Sequence, residues 1–291
     1  MRRLRVYYRD EYAPSQPFML ARLRALADSL AQHPQVEMQA PQPIALSDLR
    51  GLHSDDYLDA FLHGREPLAS SQGVRWTPAL RDATLAMLGG QLEAAQYAFE
   101  HGIAMNIARG FHHAWWGRGG GFCALNGLAL LAHHLPQKKI FVIDCDEHGG
   151  DGTEDFCTRL PNLYNASVFG TRYGYVGGPR SWAFPVDVRR DGYAVYAAAL
   201  EQIRSLLAGL QPDLLVYQAG VDCHRDDRKG RAGLSTLHLF RRDRAVFSMA
   251  RELGLPIVFV VAGGYQDARI LARLNRNTVR AAVGTFARRD S

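Results

Sequence analysis

The sequence predicts an α/β protein, a single-domain three-layer αβα arrangement around a mostly parallel central sheet. Three observations predict it. Short apolar runs of strand length alternate with longer segments of helical spacing along the chain. At 291 residues and 47% hydrophobic content, the chain can bury one large core. The apolar runs also stop at residues that carry chemistry, as expected of an open parallel sheet whose ligands bind beyond the carboxyl ends of its strands. We read residues 1–291 as one domain, without internal repeats, low-complexity tracts or linkers.

In chain order, Val6–Tyr8 reads as the first strand. Phe18–Ala31 reads as a helix, because Leu20, Leu23, Leu26, Ala27 and Leu30 recur at helical spacing. Asp56–Leu62 and Pro78–His101 also read as helices. In the second, Ala79, Ala83, Ala86 and Met87 share a face, and Gly89-Gly90 signals close packing. Ala104–Ile107 is a strand, Asn126–His134 a helix and Ile140–Ile143 a strand. The later strands are Leu163–Val168, Leu214–Gln218 and Pro256–Val261, with helices at Tyr193–Leu210 and Leu237–Leu253.

Composition narrows the function classes. The net charge of +5 comes mainly from scattered arginine. Clusters such as Arg241-Arg242 with Arg244 read as solvated helix faces, and no stripe interleaves basic with aromatic residues, so nucleic acid is not an expected partner. The stretch Met1–Arg9 is charged and no apolar core follows it, which argues against a signal peptide. No apolar stretch approaches membrane-spanning length, so no membrane association is expected. Cys123, Cys145, Cys157 and Cys223 form no CxxC pair, and a reduced, cytoplasmic protein is the simplest reading.

Four strand ends carry the chemistry. After Ala104–Ile107 comes His112-His113. After Ile140–Ile143 come Asp144, Asp146, His148 and Asp151. Asp222 follows Leu214–Gln218, and Gly263-Gly264-Tyr265 follows Pro256–Val261. Alternation along the chain puts Asp144, Asp146 and His148 on one side as it leaves the sheet. The glycines beyond them are expected to form a tight loop that leaves the site open. Asp146, His148 and Asp222 make a two-carboxylate, one-imidazole set that would hold a divalent ion with positions left for water and substrate. Zinc suits it, and Fe(II), Mn or Co would also be admitted. Taken singly, each of the three reads equally well as a loop cap or turn residue.

Adjacent histidines on a loop are usually inert. Here Asp144 and Asp151 are spare carboxylates, each able to fix the tautomer of one imidazole and raise its basicity. One histidine would then take a proton from water and the other would protonate a leaving amine. Tyr265 offers a phenol for a carbonyl oxygen that gains negative charge, although alone it reads as a packed sheet-edge tyrosine. Glycine fingerprints of nucleotide sites and the GxSxG elbow are absent. Cys123, flanked by apolar residues and glycine, reads as a buried structural thiol.

These motifs resemble the zinc-dependent histone deacetylase family, with its arginase/deacetylase-like fold. The resemblance is carried by His112-His113-Ala114, Gly121-Phe122-Cys123, Asp144-x-Asp146-x-His148-x-Gly150-Asp151-Gly152, Gly220-Val221-Asp222 and Gly263-Gly264-Tyr265, in order over most of the chain. His53-Ser54-Asp55-Asp56-Tyr57-Leu58 is a weaker match. The short length and the Arg118–Gly121 and Gly263–Gln266 segments look most like class IV members and their bacterial relatives.

The resemblance implies that Asp146, His148 and Asp222 hold zinc, and that His112 is a general base paired with Asp144. It pairs His113 with Asp151 as an electrostatic or acid catalyst and has Tyr265 polarise the amide carbonyl. Gly120, Gly121, Phe122 and Gly264 would line a narrow tunnel for the acylated side chain, with Tyr175 as the second aromatic wall. It also implies a structural K+ or Na+ ion near the dyads, held by Asp144, Asp146 and His148 carbonyls with Ser167 and Val168.

The chain departs from the family in places. Ser15-Gln16-Pro17-Phe18 stands where many relatives have a His-Pro and basic pattern feeding an internal channel. His224 is unexpected and is read as exposed, Trp115-Trp116 is expected to shape the rim, and no acidic rim residue is identified. The implied activity is a zinc-dependent amidohydrolase that removes an acetyl or longer acyl group from an amine, with the ε-amine of acyl-lysine as the first candidate. A small-molecule deacylase acting on acylpolyamines or a biosynthetic intermediate, an arginase-like binuclear manganese hydrolase, and a non-catalytic binding protein remain as alternatives.

Overall fold

Among the described residues, eight strands pair in one sheet in the order β2-β1-β3-β8-β7-β4-β5-β6, and every pairing is parallel. The computed structural model describes residues 3–15, 18–174 and 177–286. The strands are β1 (Leu4–Tyr7), β2 (Val36–Gln39), β3 (Ile103–Asn106), β4 (Ile140–Asp144), β5 (Leu163–Phe169), β6 (Ser181–Pro185), β7 (Leu214–Gln218) and β8 (Ile257–Val260). The helices are α1 (Phe18–Ala31), α2 (Asp55–His63), α3 (Pro78–His101), α4 (Gly127–His134), α5 (Asp151–Arg159), α6 (Val188–Asp191), α7 (Tyr193–Leu210), α8 (Thr236–Glu252) and α9 (Ala268–Phe286).

Burial explains which strands the sequence revealed. β4, β7 and β8 are buried at every position and read as unbroken apolar runs. β2 and β6, which carry no strand pattern in the sequence, are the two sheet edges. β2 is the polar string Val36-Glu37-Met38-Gln39, and β6 is half-buried and ends in Pro185. Charge and proline are the usual guards of an open edge, and they mask the strand pattern. Also unread were α5, α6 and α9. The outer face of α9 is strongly polar, whereas Leu271, Leu274, Thr278 and Val279 on its inner face are buried.

Helices cover both faces of the sheet. Side chains of α1, α7, α8 and α9 fill one core with one face of the sheet. Those of α2, α4 and α5 fill the other, and α3 contributes to both. Local signals start several helices. Asn126 Oδ1 accepts from the Leu128 and Ala129 amides, and Thr77 caps α3 ahead of Pro78. Gly89 gives α3 its close approach, since a Cβ there would lie 1.9 Å from the Gln42 carbonyl oxygen. Among the described residues, no helix is long and apolar enough to cross a membrane.

One expectation is reversed. Arg241 and Arg244 face solvent, but Arg242 between them is fully buried. Its guanidinium pairs with Asp243 at 2.8 Å and donates to the carbonyl oxygens of Gly220 (2.7 Å) and Cys145 (3.1 Å). Asp243 also accepts from the hydroxyls of Tyr217 and Thr278. Its position on α8 beneath the ends of β4 and β7, rather than helical spacing, buries this arginine. The sidechain thereby ties the loop after β4 to the loop after β7.

Truncating Arg242 would strand two carbonyls and a buried carboxylate. Arg242→Ala is expected to lower the unfolding free energy by about 3–5 kcal/mol, read by urea denaturation. A loss below about 1 kcal/mol would contradict this role.

Candidate active site

The four motif-bearing strands are neighbours, in the order β3-β8-β7-β4. Their carboxyl ends therefore open onto one place, which the sequence could not show. β4 ends at Asp144, and the chain runs through Asp146 and His148 into α5, whose first residue is Asp151. Gly149 and Gly150 lie in the short non-helical turn that leads into this helix. Gly152 packs tightly there, because a Cβ would lie 2.5 Å from the Ala114 carbonyl oxygen.

Asp146, His148 and Asp222 bring one ligand atom each to within 4.8 Å of one another. His148 Nδ1 lies 3.4 Å from Asp146 Oδ1 and 3.5 Å from Asp222 Oδ2. A tetrahedron with metal–ligand bonds of about 2.0–2.1 Å has edges of about 3.3 Å, so the set fits one small divalent ion. Backbone amides aim the carboxylates. Gly263 donates to Asp146 Oδ2 at 2.7 Å, and Glu147 donates to Asp222 Oδ1 at 2.9 Å. Among the described residues Asp222 Oδ2 is buried with no hydrogen-bond partner, as suits an atom that would ligate an ion. At Gly263 a Cβ would come within 2.0 Å of Asp222 Oδ2 and 2.4 Å of Asp146 Oδ2, so the strand end must be glycine for the carboxylates to meet.

The charges respond to this crowding. Burial pulls the His148 imidazole down, but Asp146 and Asp222 outweigh it and hold its pKa up at about 10. Burial and the Asp146 charge push Asp222 up to about 6 despite His148. Burial opposes ionisation of Asp146 too, yet His112 and His148 hold it well below the usual carboxylate range.

Two imidazole–carboxylate pairs adjoin this group. His112 Nδ1 donates to Asp144 Oδ2 at 2.7 Å, which leaves Nε2 facing Asp146 Oδ1 at 3.7 Å. His113 Nδ1 donates to Asp151 Oδ1 at 2.6 Å, and Trp115 Nε1 donates to the other Asp151 oxygen at 3.0 Å. The two imidazole rings lie 3.9 Å apart. Burial depresses both, but Asp144 and Asp146 raise His112 to about 9, whereas burial and the His112 charge leave His113 at about 4. Neighbouring histidines thus hold different protonation states near neutral pH in the metal-free protein, His112 charged and His113 neutral.

Tyr265 stands on the opposite side, its ring 6.5 Å from His148 and 6.4 Å from Phe122. Burial raises its pKa despite Arg109, so it stays a neutral hydrogen-bond donor. Gly121 lies against the His113 ring, where a Cβ would come within 2.3 Å of Cδ2. Gly264 packs over Arg22 and Leu271. Phe111, Phe122 and Ala262 all adopt positive φ around the site, at 61°, 66° and 56°. Such backbone costs about 1–3 kcal/mol per residue and persists only where the surroundings impose it.

Some expectations change. Tyr175 lies outside the described residues, as do Gln16 and Pro17. The aromatic that packs on His113 is Tyr173, at 4.3 Å. His224 is buried rather than exposed, with Nε2 3.1 Å from Thr236 Oγ1. Asp226 is exposed, and Asp227 accepts from the Tyr265 and Lys229 amides, so neither joins the ligand group. Ser167 pairs with Asp144 across β4 and β5, and Val168 follows it, buried. Cys123 is buried, and burial raises its thiol to about 12.

Other residues were missed. Glu147 turns away from the cluster and accepts from Thr171 Oγ1 and from the Arg231 and Ala232 amides, clamping two loops. Arg22 is buried beneath the site and donates to the Ala262 carbonyl oxygen at 2.5 Å. Arg109 is buried nearby. Glu147 falls inside the acidic motif on the side of the alternation opposite Asp146, so spacing shows that it turns away but not which loops it clamps. The two arginines lie in segments with no motif at all.

Since His148 is protonated near neutral pH in the metal-free protein, a divalent ion must displace its proton. Titrating zinc into metal-stripped protein at pH 7.5 is expected to release about one proton per ion, read by calorimetry in buffers of different ionisation enthalpy. Apparent affinity should rise with pH until about 10, where His148 loses its proton unaided. Uptake without proton release would contradict this arrangement.

Comparison with known proteins agrees with the architecture. The histone deacetylase domain profile matches residues 16–282. An uncharacterised protein of Picosynechococcus sp. is 34% identical over 261 residues, covering 87% of this chain and 86% of that protein. Histone deacetylase 2 of Arabidopsis thaliana is 32% identical over 213 residues, covering 67% of this chain and 53% of that protein. The crystal structure of acetylpolyamine aminohydrolase from Burkholderia pseudomallei superposes with a TM-score of 0.78 at 18% identity, over 97% of this chain and 99% of that one. The profile spans nearly the whole parallel sheet and all of the strand-end motifs, and the chain belongs to the histone deacetylase family, hydrolases of amide bonds on the arginase/deacetylase-like fold.

Proposed function

We propose that the protein removes an acyl group from an amine by zinc-dependent hydrolysis, with the ε-amine of an acylated lysine as the substrate amine. The observation that carries this reading is the pair of imidazole–carboxylate dyads beside one metal-ligand group, with a neutral phenol opposite. A divalent ion held by Asp146, His148 and Asp222 would supply Lewis-acid activation of water and of the amide carbonyl.

The chain's own residues do the rest. His112 Nδ1 stays bonded to Asp144, so Nε2 is the atom that takes a proton from the attacking water; a divalent ion beside Asp146 would offset the carboxylate charge that keeps this imidazole protonated in the metal-free protein. His113, oriented by Asp151, would serve the departing amine as an electrostatic or acid catalyst, the acid role requiring that the His112 charge that keeps it neutral be relieved first. The Tyr265 hydroxyl donates to the carbonyl oxygen as charge develops on it, without ever ionising. Phe122, Tyr265 and Tyr173 supply aromatic walls that keep bulk water from the bond being cut. Water adds across the amide, leaving a carboxylic acid and an amine.

K+ or Na+ fits beside the dyads, at the carbonyls of Asp144, Asp146 and His148 with Ser167 and Val168. The pairing of Ser167 with Asp144 supports that placement. An acylpolyamine substrate is the second reading, supported by the likeness in fold to a protein titled acetylpolyamine aminohydrolase.

Tyr265→Phe is expected to lower kcat on an acetyl-lysine peptide about a hundred- to a thousandfold, while elemental analysis still finds one zinc per chain. Full turnover in that variant would refute the role given to the phenol.

A further inference from the structure

The loop after Asp222 places a cation over the approach to the site. Lys229 is exposed, yet its ammonium lies 4.8 Å from the ring centroid of Phe122 and also 4.8 Å from that of Tyr265. Those centroids are themselves 6.4 Å apart, so the charge hangs over the gap between the two aromatic walls. Cation–π attraction to both faces favours that position over the many open to a free lysine.

The backbone beneath it is anchored. One carboxylate, Asp227, accepts from the Lys229 amide at 2.9 Å through one oxygen and from the Tyr265 amide at 2.7 Å through the other. Lys229 and Tyr265 are therefore fixed relative to each other. Gly230 presses this loop on the ligand-bearing backbone, where a Cβ would lie 2.3 Å from the Asp222 carbonyl oxygen. Arg228 adds a second cation, its guanidinium held by the Tyr265 carbonyl oxygen at 2.8 Å and 3.0 Å. Asp226 and Asp267 line, with Arg228 and Tyr265, a recess whose lining includes neither Lys229 nor Phe122.

An acylated amine that puts its carbonyl near Tyr265 must send the rest of its chain out past Phe122 and Tyr265. We propose that Lys229 is a specificity-determining charge gate. It selects acyl-amine substrates that carry a carboxylate on the amine side of the amide and disfavours cationic ones such as acylpolyamines. This deepens the functional reading above and rests on it. The carboxylate comes either from a free acylated amino acid or from an acidic side chain next to an acylated lysine.

The test uses zinc-loaded full-length protein and N-acetyl alkylamines of one chain length ending in carboxylate, methyl or ammonium. Acetyl-lysine peptides flanked by Asp or by Lys form a second set that separates the two sources. At low salt, kcat/KM is expected to favour the carboxylate over the ammonium compound about tenfold, chiefly through KM. Lys229→Arg should keep that order, Lys229→Glu should invert it, and about 1 M salt should flatten it. A ratio unchanged between wild type and Lys229→Glu, or an ammonium preference in the wild type, overturns the gate.

Binding of the same three tails carried on a hydroxamate, a metal chelator that needs no turnover, separates the two claims. Absent hydrolysis with tighter binding of the carboxylate tail sinks the functional reading and leaves the gate standing. Hydrolysis with no charge preference in rate or binding does the reverse.

Discussion

The structure depends on holding two carboxylates and an imidazole, all largely removed from water, within one coordination distance of each other. Like charges that close repel, and each buried charge loses hydration. The strain is visible in Asp222, which burial and Asp146 push up to about 6. The fold opposes this repulsion at several points. Neighbouring parallel strands β4 and β7 deliver the two acids side by side. Backbone amides of Glu147 and Gly263 each occupy one carboxylate oxygen. Glycine at 263 admits both acids where any side chain would collide. Beneath them, buried Arg242 holds the two loops by the carbonyl oxygens of Cys145 and Gly220.

Around that centre, the remaining polar groups are ordered by what they pair with. Asp144 and Asp151 lie in the same acidic stretch as Asp146, but each faces an imidazole. Burial opposes charge on both histidines, but Asp144 and Asp146 together raise His112 to about 9, whereas the His112 charge adds to burial and leaves His113 near 4. Trp115 and the start of α5 steady Asp151 from behind. The positive-φ residues Phe111, Phe122 and Ala262 lie in the segments that carry these groups, where the backbone is bent to aim side chains.

Much of this was legible in the sequence, for identifiable reasons. Central strands announce themselves because burial on both faces requires continuous apolar runs, and their ends held the catalytic types at recognisable spacing. Edges were not legible, since β2 and β6 carry the charge and proline that keep an edge unpaired. Arg242 was misread because helical spacing cannot tell an arginine facing water from one facing two carbonyls. His224 was misread similarly, for a loop histidine looks exposed until Thr236 on the next helix is seen beside it. Lys229 carried no motif, and its meaning appears only when Phe122 and Tyr265, distant in sequence, are found beneath its ammonium.

Repulsion strains the acidic cluster in the absence of an ion, and a bound divalent ion should relieve it. Because the Asp222 pKa is raised on folding, its ionised form costs stability as pH rises through about 6. The direct measurement is thermal unfolding of wild type and Asp222→Asn at pH 7.5, each stripped of metal and then supplied with zinc. The stripped variant is expected to melt above the stripped wild type, and zinc to reverse the order by stabilising only the wild type strongly. A stripped variant that melts below the wild type, together with no zinc-dependent shift in the wild type, would contradict it.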